Sequence, residues 1–194
     1  MNAQETQRQH KGLYLSLGLG PVFGNIEDFV KDNTAGDYTL SMSGVGINFD
    51  FKIGGAVQEN LILHATVTSS ALPGPTITIE GNSSIKASDN MSVGEAMIGA
   101  GATYYFMPSN IFISGSAGIG NFSIINEDEK INISTDRGLS FQLKAGKEWW
   151  ISKKWGMGIA LTYGKTNLTN NPEAGLSEKL DSNRFAILLN ASFN

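Results

Sequence analysis

The only histidines are His10 and His64, and the chain contains no cysteine, so its reactive groups are two imidazoles, 18 carboxylates and 14 Lys or Arg side chains. A serine or threonine hydrolase needs a base within hydrogen-bond reach of its nucleophile and a third group to orient that base. His10 lies in a polar stretch at the start of the chain. His64 sits on the polar face of an alternating segment, a placement that predicts a hydrogen-bonding role rather than catalysis. Zinc binding is unsupported, since two histidines without cysteine offer no recognised ligand spacing. The acidic runs Glu27-Asp28 and Glu127-Asp128-Glu129 lack an EF-hand pattern and read as solvated loop charge. Glycine pairs at Gly18/Gly20 and Gly99/Gly101 open no helix and carry no P-loop Lys, so they read as strand glycines. Asn-x-Ser/Thr at Asn82, Asn90, Asn121, Asn132 and Asn167 reads as loop composition. A net charge of −4 without a basic cluster argues against a nucleic-acid partner.

The elements that hold these groups are defined by strict alternation, which separates residue classes onto two faces of a strand. It recurs over residues 12–24, 38–57, 61–70, 91–106, 111–125, 131–151, 155–165 and 182–193. In the second run, Val45, Ile47, Phe49, Phe51 and Ile53 oppose Gly44, Gly46, Asn48, Asp50 and Lys52. Lys147 is the exception on an otherwise apolar face. Connections near 58–60, 107–110 and 152–154 are short, whereas 25–37, 71–90, 126–137 and 166–181 are long and polar. The segment Ala71 to Ile79 is either a plain loop or an extended edge open to partner pairing. At 194 residues the chain accommodates one domain. No run approaches the roughly 18 to 20 apolar residues of a membrane-spanning helix.

These features predict an all-β fold, an eight-stranded antiparallel up-and-down transmembrane β-barrel, over residues 12–194. Residues 1–11 contain no apolar signal-peptide core and are expected to form a flexible periplasmic lead-in or an added expression segment. A soluble barrel also alternates, so the polar face decides between the two. A face bathed in water carries abundant Lys and Glu, whereas here it is mostly Gly, Ser, Ala and Thr, which suits the narrow interior of eight strands. The large polar residues directed inward are Asp50, Lys52, His64, Glu95, Lys144, Glu148 and Arg184. Counting residues from the short turns puts Asp50 and Lys144 at similar depth, with Lys52 slightly below, so a cross-lumen pair of Asp50 with Lys144 or Lys52 is predicted. Tyr104, Phe106, Trp149, Trp155 and Phe193 lie near the short turns and are expected to form a periplasmic aromatic girdle.

The closing segment, Arg184-Phe185-Ala186-Ile187-Leu188-Leu189-Asn190-Ala191-Ser192-Phe193-Asn194, resembles the terminal strand of small outer-membrane barrels, although Asn194 follows the final aromatic. Over residues 12–193 the architecture is similar to the OmpA transmembrane domain and OmpX-type proteins. That resemblance implies a bacterial outer-membrane location with both termini periplasmic, surrounding outer-membrane lipids, insertion by the barrel-assembly machinery and a monomeric state. The expected function is non-enzymatic: a barrel with a side-chain-filled lumen serving an envelope-structural or surface-interaction role through its loops, with an unidentified loop-binding partner and no cofactor or metal. A narrow channel or transporter of small apolar molecules is the alternative, and a lipid-modifying enzyme the third.

Overall fold

The alternating runs pair edge to edge until the last meets the first. The computed structural model describes residues 8–34 and 36–194, with Glu173 described by its backbone alone. In chain order the strands are β1 (Leu13–Asp32), β2 (Tyr38–Gln58), β3 (Leu61–Pro73), β4 (Thr76–Ile79), β5 (Ile85–Lys86), β6 (Met91–Phe106), β7 (Ile111–Asn126), β8 (Ile131–Ser134), β9 (Gly138–Trp150), β10 (Trp155–Glu173) and β11 (Leu176–Phe193). Eight of them form the ring β1-β2-β3-β6-β7-β9-β10-β11, closed because β1 pairs with both β2 and β11. Closure leaves the eight-stranded ring itself without a free edge, the condition a strand must meet inside hydrocarbon. The fold is an antiparallel β-barrel, and among the described residues no helix is long and apolar enough to cross a membrane.

The exterior identifies the solvent. Leu17, Ile47, Ile98, Leu143, Leu161 and Leu189 point outward and are 47% to 70% exposed, while Ser16, Thr66, Thr68, Asp50 and Lys52 are buried inside. A water-soluble barrel does the reverse. The outward apolar run covers residues 13–23 on β1, 155–163 on β10 and 185–193 on β11. A tilted strand needs about nine to eleven residues to cross the hydrocarbon core. The barrel thus has an apolar band, with tight turns at one end and long hairpins at the other.

Two of the expected long loops are strand. β1 continues to Asp32, and β10 and β11 pair up to Glu173 and Leu176. The inward positions there, Ile26, Val30, Leu168 and Leu180, are buried, and polar Asn25, Glu27, Asn167 and Lys179 face outward. Polarity made these segments look like loops, but it belongs to an outer face that has left the lipid. The run 131–151 is likewise split. β8 folds back on β7, Thr135 takes over the hydrogen bonds of Phe122, and Asp136 donates its N–H to Asn170 before β9 enters the ring. Between β3 and β6, Gly74 at φ +52° turns the chain into β4, which pairs with Leu40 to Ser43 of β2. The chain therefore covers part of its own projecting edge.

The lead-in expectation needs correcting where it is described. Residues 1–7 lie outside the described residues, but His10 is completely buried under the short-turn end. Its backbone exchanges hydrogen bonds with the Asn60 turn, at 3.0 Å and 3.1 Å, and its ring stacks on Tyr105 at 3.5 Å. An imidazole with two turn asparagines and an aromatic floor is anchored rather than free.

Candidate functional site: the filled lumen and its two ends

The lumen is a column of polar side chains set by strand parity. At its centre Asp50 accepts from Lys52 Nζ and Lys144 Nζ, each at 2.8 Å, with all three side chains at most 1% exposed. Asp50 and Lys52 share a face because they are two residues apart on β2, and Lys144 reaches across from β9. Lys52 also donates to Gln142 Oε1 at 3.0 Å, and Lys144 to Asn190 Oδ1 at 2.6 Å. Asn190 passes its amide hydrogens to Glu148 at 2.7 Å, and Ser192 donates to the same carboxylate. Two acids and two bases are joined in one neutral network. That matters because an uncompensated buried charge costs several kcal/mol. Gly18 makes room for it, since a Cβ there would sit 3.3 Å from Lys144 Nζ and 3.0 Å from Leu188.

His64 lies in a separate cluster of hydroxyls. Its Nδ1 meets Thr66 Oγ1 at 2.9 Å and its Nε2 meets Thr103 Oγ1 at 3.0 Å, with Ser114 at 3.4 Å. Among the described residues, the partners of both ring nitrogens are hydroxyls rather than the carboxylate that orients the base of a catalytic triad. The arrangement ties β3, β6 and β7 together through hydroxyl bridges, including Thr66 to Ser116.

Toward the long-hairpin end, Arg184 Nη2 lies 3.1 Å from Glu95 Oε1, and Ser182 donates to the same oxygen at 3.0 Å. Gly164 accommodates the guanidinium, because a Cβ there would be 2.7 Å from Nη2. This layer coincides with the edge of the apolar band, where the outward residues change from Phe185 to Asn183. Above it the interior is apolar: Ile26, Met42, Val93, Phe122, Leu168 and Leu180 form a buried cluster. Beyond the band, burial and the neighbouring Glu178 push the Asp28 carboxyl up to about 6, and its Oδ1 has no hydrogen-bond partner among the described residues.

The short-turn end is closed by aromatic rings. Tyr14 and Tyr105 share a hydroxyl contact at 3.2 Å, Tyr105 packs on Phe112, and His10 covers Tyr105 with its Nε2 2.7 Å from Asn110 Oδ1. Trp150 lies 4.8 Å below the His10 ring. Outside, Lys11 sits 2.8 Å from exposed Glu59 and holds that carboxyl below its usual range. Tyr104, Phe106, Trp149 and Trp155 project outward around this end, with Phe193 half-buried against Trp155.

All seven inward polar residues expected from the sequence lie in the lumen, but they form three groups rather than one: Asp50, Lys52, Lys144 and Glu148; His64 alone among hydroxyls; and Glu95 with Arg184. Asn190 and Gln142 were missed as network members, although both occupy inward parity. Tyr14, Tyr105 and Phe112 carried the same signal, inward aromatics at the strand ends nearest the short turns. Among the described residues no group of three or more His, Asp or Glu side chains could hold a metal ion.

A closed, lipid-faced ring with a side-chain-filled lumen has the architecture of the small outer-membrane β-barrels. In solved structures, Neisserial surface protein A (NspA) is similar at a TM-score of 0.54 and 11% identity, covering 94% of this chain and 96% of that one. OprG from Pseudomonas aeruginosa gives 0.54 and 13%, covering 97% and 99%. The outer-membrane protein AlkL gives 0.53 and 14%, covering 100% and 94%. No family model matches the chain, and no curated protein matches its sequence. At such identities the likeness is one of fold.

Proposed function

We propose that this chain is a non-conducting, non-enzymatic outer-membrane barrel that anchors and orients a stiff extramembrane extension for contacts at the cell surface. Its short-turn end and both termini face the periplasm, it is monomeric, and it depends on the barrel-assembly machinery for insertion. The observation that carries this reading is the Asp50 carboxylate held between Lys52 and Lys144 in mid-lumen, each at 2.8 Å. An ion entering here must break a neutral network that is already paired. The expected result in a planar bilayer is the absence of stable single-channel conductance, and steady conductance at low voltage would overturn it. Orientation is testable because the chain has no cysteine. Asn82→Cys should react with a membrane-impermeant maleimide on intact cells, and Ser109→Cys should react only after the outer membrane is opened.

A second reading, transport of small apolar molecules, has one observation in its favour: the interior above the Arg184 layer is lined by Ile26, Met42, Val93, Phe122, Leu168 and Leu180. An apolar solute entering there would meet the charged layer and have to leave sideways through the wall. Faster uptake of such a solute into proteoliposomes than into empty vesicles would favour it.

A further inference from the structure

The wall of the barrel is not uniform. Between β6 and β10 a groove of about 550 Å³ is cut into the apolar band. Its floor is Ala102, Gly115 and Ala145, and its walls include Tyr104, Leu143 and Tyr163. Ala102 is paired with Gly115 across β6 and β7, and Leu143 with Tyr163 across β9 and β10. The groove is therefore carried on a rigid hydrogen-bonded surface. Two residues beyond Ala145 on the same outward face, about 7 Å along the strand, stands Lys147, the one cation on that face of β9. Its Nζ lies 5.7 Å from the Trp149 ring centroid. Among the described residues, the exposed charged side chains at the foot of this hairpin are Lys147, and Lys153 and Lys154 in the turn, with Lys154 over Phe193 at 5.6 Å.

We infer that this groove and Lys147 form a seat for one anionic glycerophospholipid, with an acyl chain over Gly115 and the headgroup phosphate on the lysine. The apolar floor lies inside the band, so hydrocarbon is what meets it. The lysine stem can extend its ammonium toward the interface while lying on apolar surface. Trp149 and Tyr104 mark the depth at which amphipathic rings meet headgroups. The charge at that depth selects an anionic lipid over a zwitterionic one. This rests on the membrane-spanning reading but adds a particular side of the barrel and a particular lipid class.

The test is native mass spectrometry of the detergent-purified chain after addition of phosphatidylglycerol or phosphatidylcholine. The wild type should retain one phosphatidylglycerol in preference to phosphatidylcholine. Lys147→Ala should reduce that preference about fivefold, the worth of one lysine beside an anionic surface. Gly115→Leu should abolish retention of both lipids by filling the floor. A Cβ at Gly115 meets nothing closer than Leu143 Cδ2 at 3.8 Å, so the ring should still close. Ala145→Phe serves as a second filling variant, and Leu17→Phe, on the opposite wall, should retain lipid like the wild type. Equal retention by wild type, Lys147→Ala and both filling variants would overturn the seat, as would loss in Leu17→Phe to the same degree as in Gly115→Leu. Failure of the membrane reading itself shows separately, as a monomer that stays in solution without detergent.

Discussion

Within the apolar band, β1 points Tyr14, Ser16 and Gly18 inward and Leu13, Leu15 and Leu17 outward. Past the Arg184–Glu95 layer, the same strand points Ile26 and Val30 inward and Asn25 and Glu27 outward. Pairing with β2 and β11 continues through the change. Parity is thus conserved while chemistry reverses. The reason is the surroundings: in lipid, the outer face must be apolar and the interior carries the polar groups, whereas in water an apolar interior is stabilised by removal from solvent. Ladder hydrogen bonds run through both regions; the lower adds a neutral charge network, and the upper the apolar cluster around Phe122.

The difference predicts opposite sensitivities, and the largest belongs to the lower region. Asp50→Ala leaves Lys52 and Lys144 buried together without their shared anion and should destabilise the folded barrel by about 3–5 kcal/mol. The measurement is urea-dependent unfolding in vesicles, followed by tryptophan fluorescence and the heat-modifiable gel shift. Replacing the whole charge set, as Asp50→Leu with Lys52→Met, Lys144→Met and Glu148→Gln, removes the desolvation cost together with the attraction. Its stability should lie well above that of Asp50→Ala. If the two variants are equally unstable, the network is not what Asp50 contributes.

The second contrast uses the outer face. Leu189→Arg, 70% exposed near the middle of the band, should cost about 2–4 kcal/mol in the same assay. Phe29→Arg also points outward but lies in the extension, where its cost should stay within about 0.5 kcal/mol. Similar costs at both positions would mean that the band does not end where the outward residues turn polar.

Legibility in the sequence followed the same boundary. Residues 91–106 and 111–125 were readable almost to the residue, because there alternation, apolar content and turn residues agree. Asp50, Lys52 and Lys144 were recognisable as partners because depth can be counted from a short turn. What escaped is what reverses the rule. Ile26, Val30, Leu168 and Leu180 keep inward parity, but the polar residues between them imitate a loop. The three-way grouping of the lumen charges depends on the stagger around the ring, which alternation does not contain. His10 escaped because a buried imidazole beneath Tyr105 is built by two distant turns, at Asn60 and Asn110, and no local pattern announces them.

The last contrast is one of pH, and it lies in the extension. The Asp28 carboxyl is raised from 3.8 to about 6 by burial first and by Glu178 second, while Asn170 Nδ2 holds Glu178 at 2.6 Å. Lys31 and Lys179 on the two paired strands point outward, away from it. A carboxyl raised in the folded state binds its proton more tightly there than in the unfolded chain, so the stability it confers is full below about pH 4 and is lost as pH climbs through 6. Discounted for screening by solvent at this rim position, the loss by neutral pH is on the order of 1 kcal/mol. Asp28→Asn should therefore protect the amides of the β1 and β11 extension at neutral pH and change little near pH 4, as read by hydrogen exchange corrected for intrinsic rates. Because the lower network is screened from solvent, its amides should not share this response. A pH slope that is the same in Asp28→Asn and wild type removes Asp28 as its source, and one shared by β9 would make the two regions a single cooperative unit.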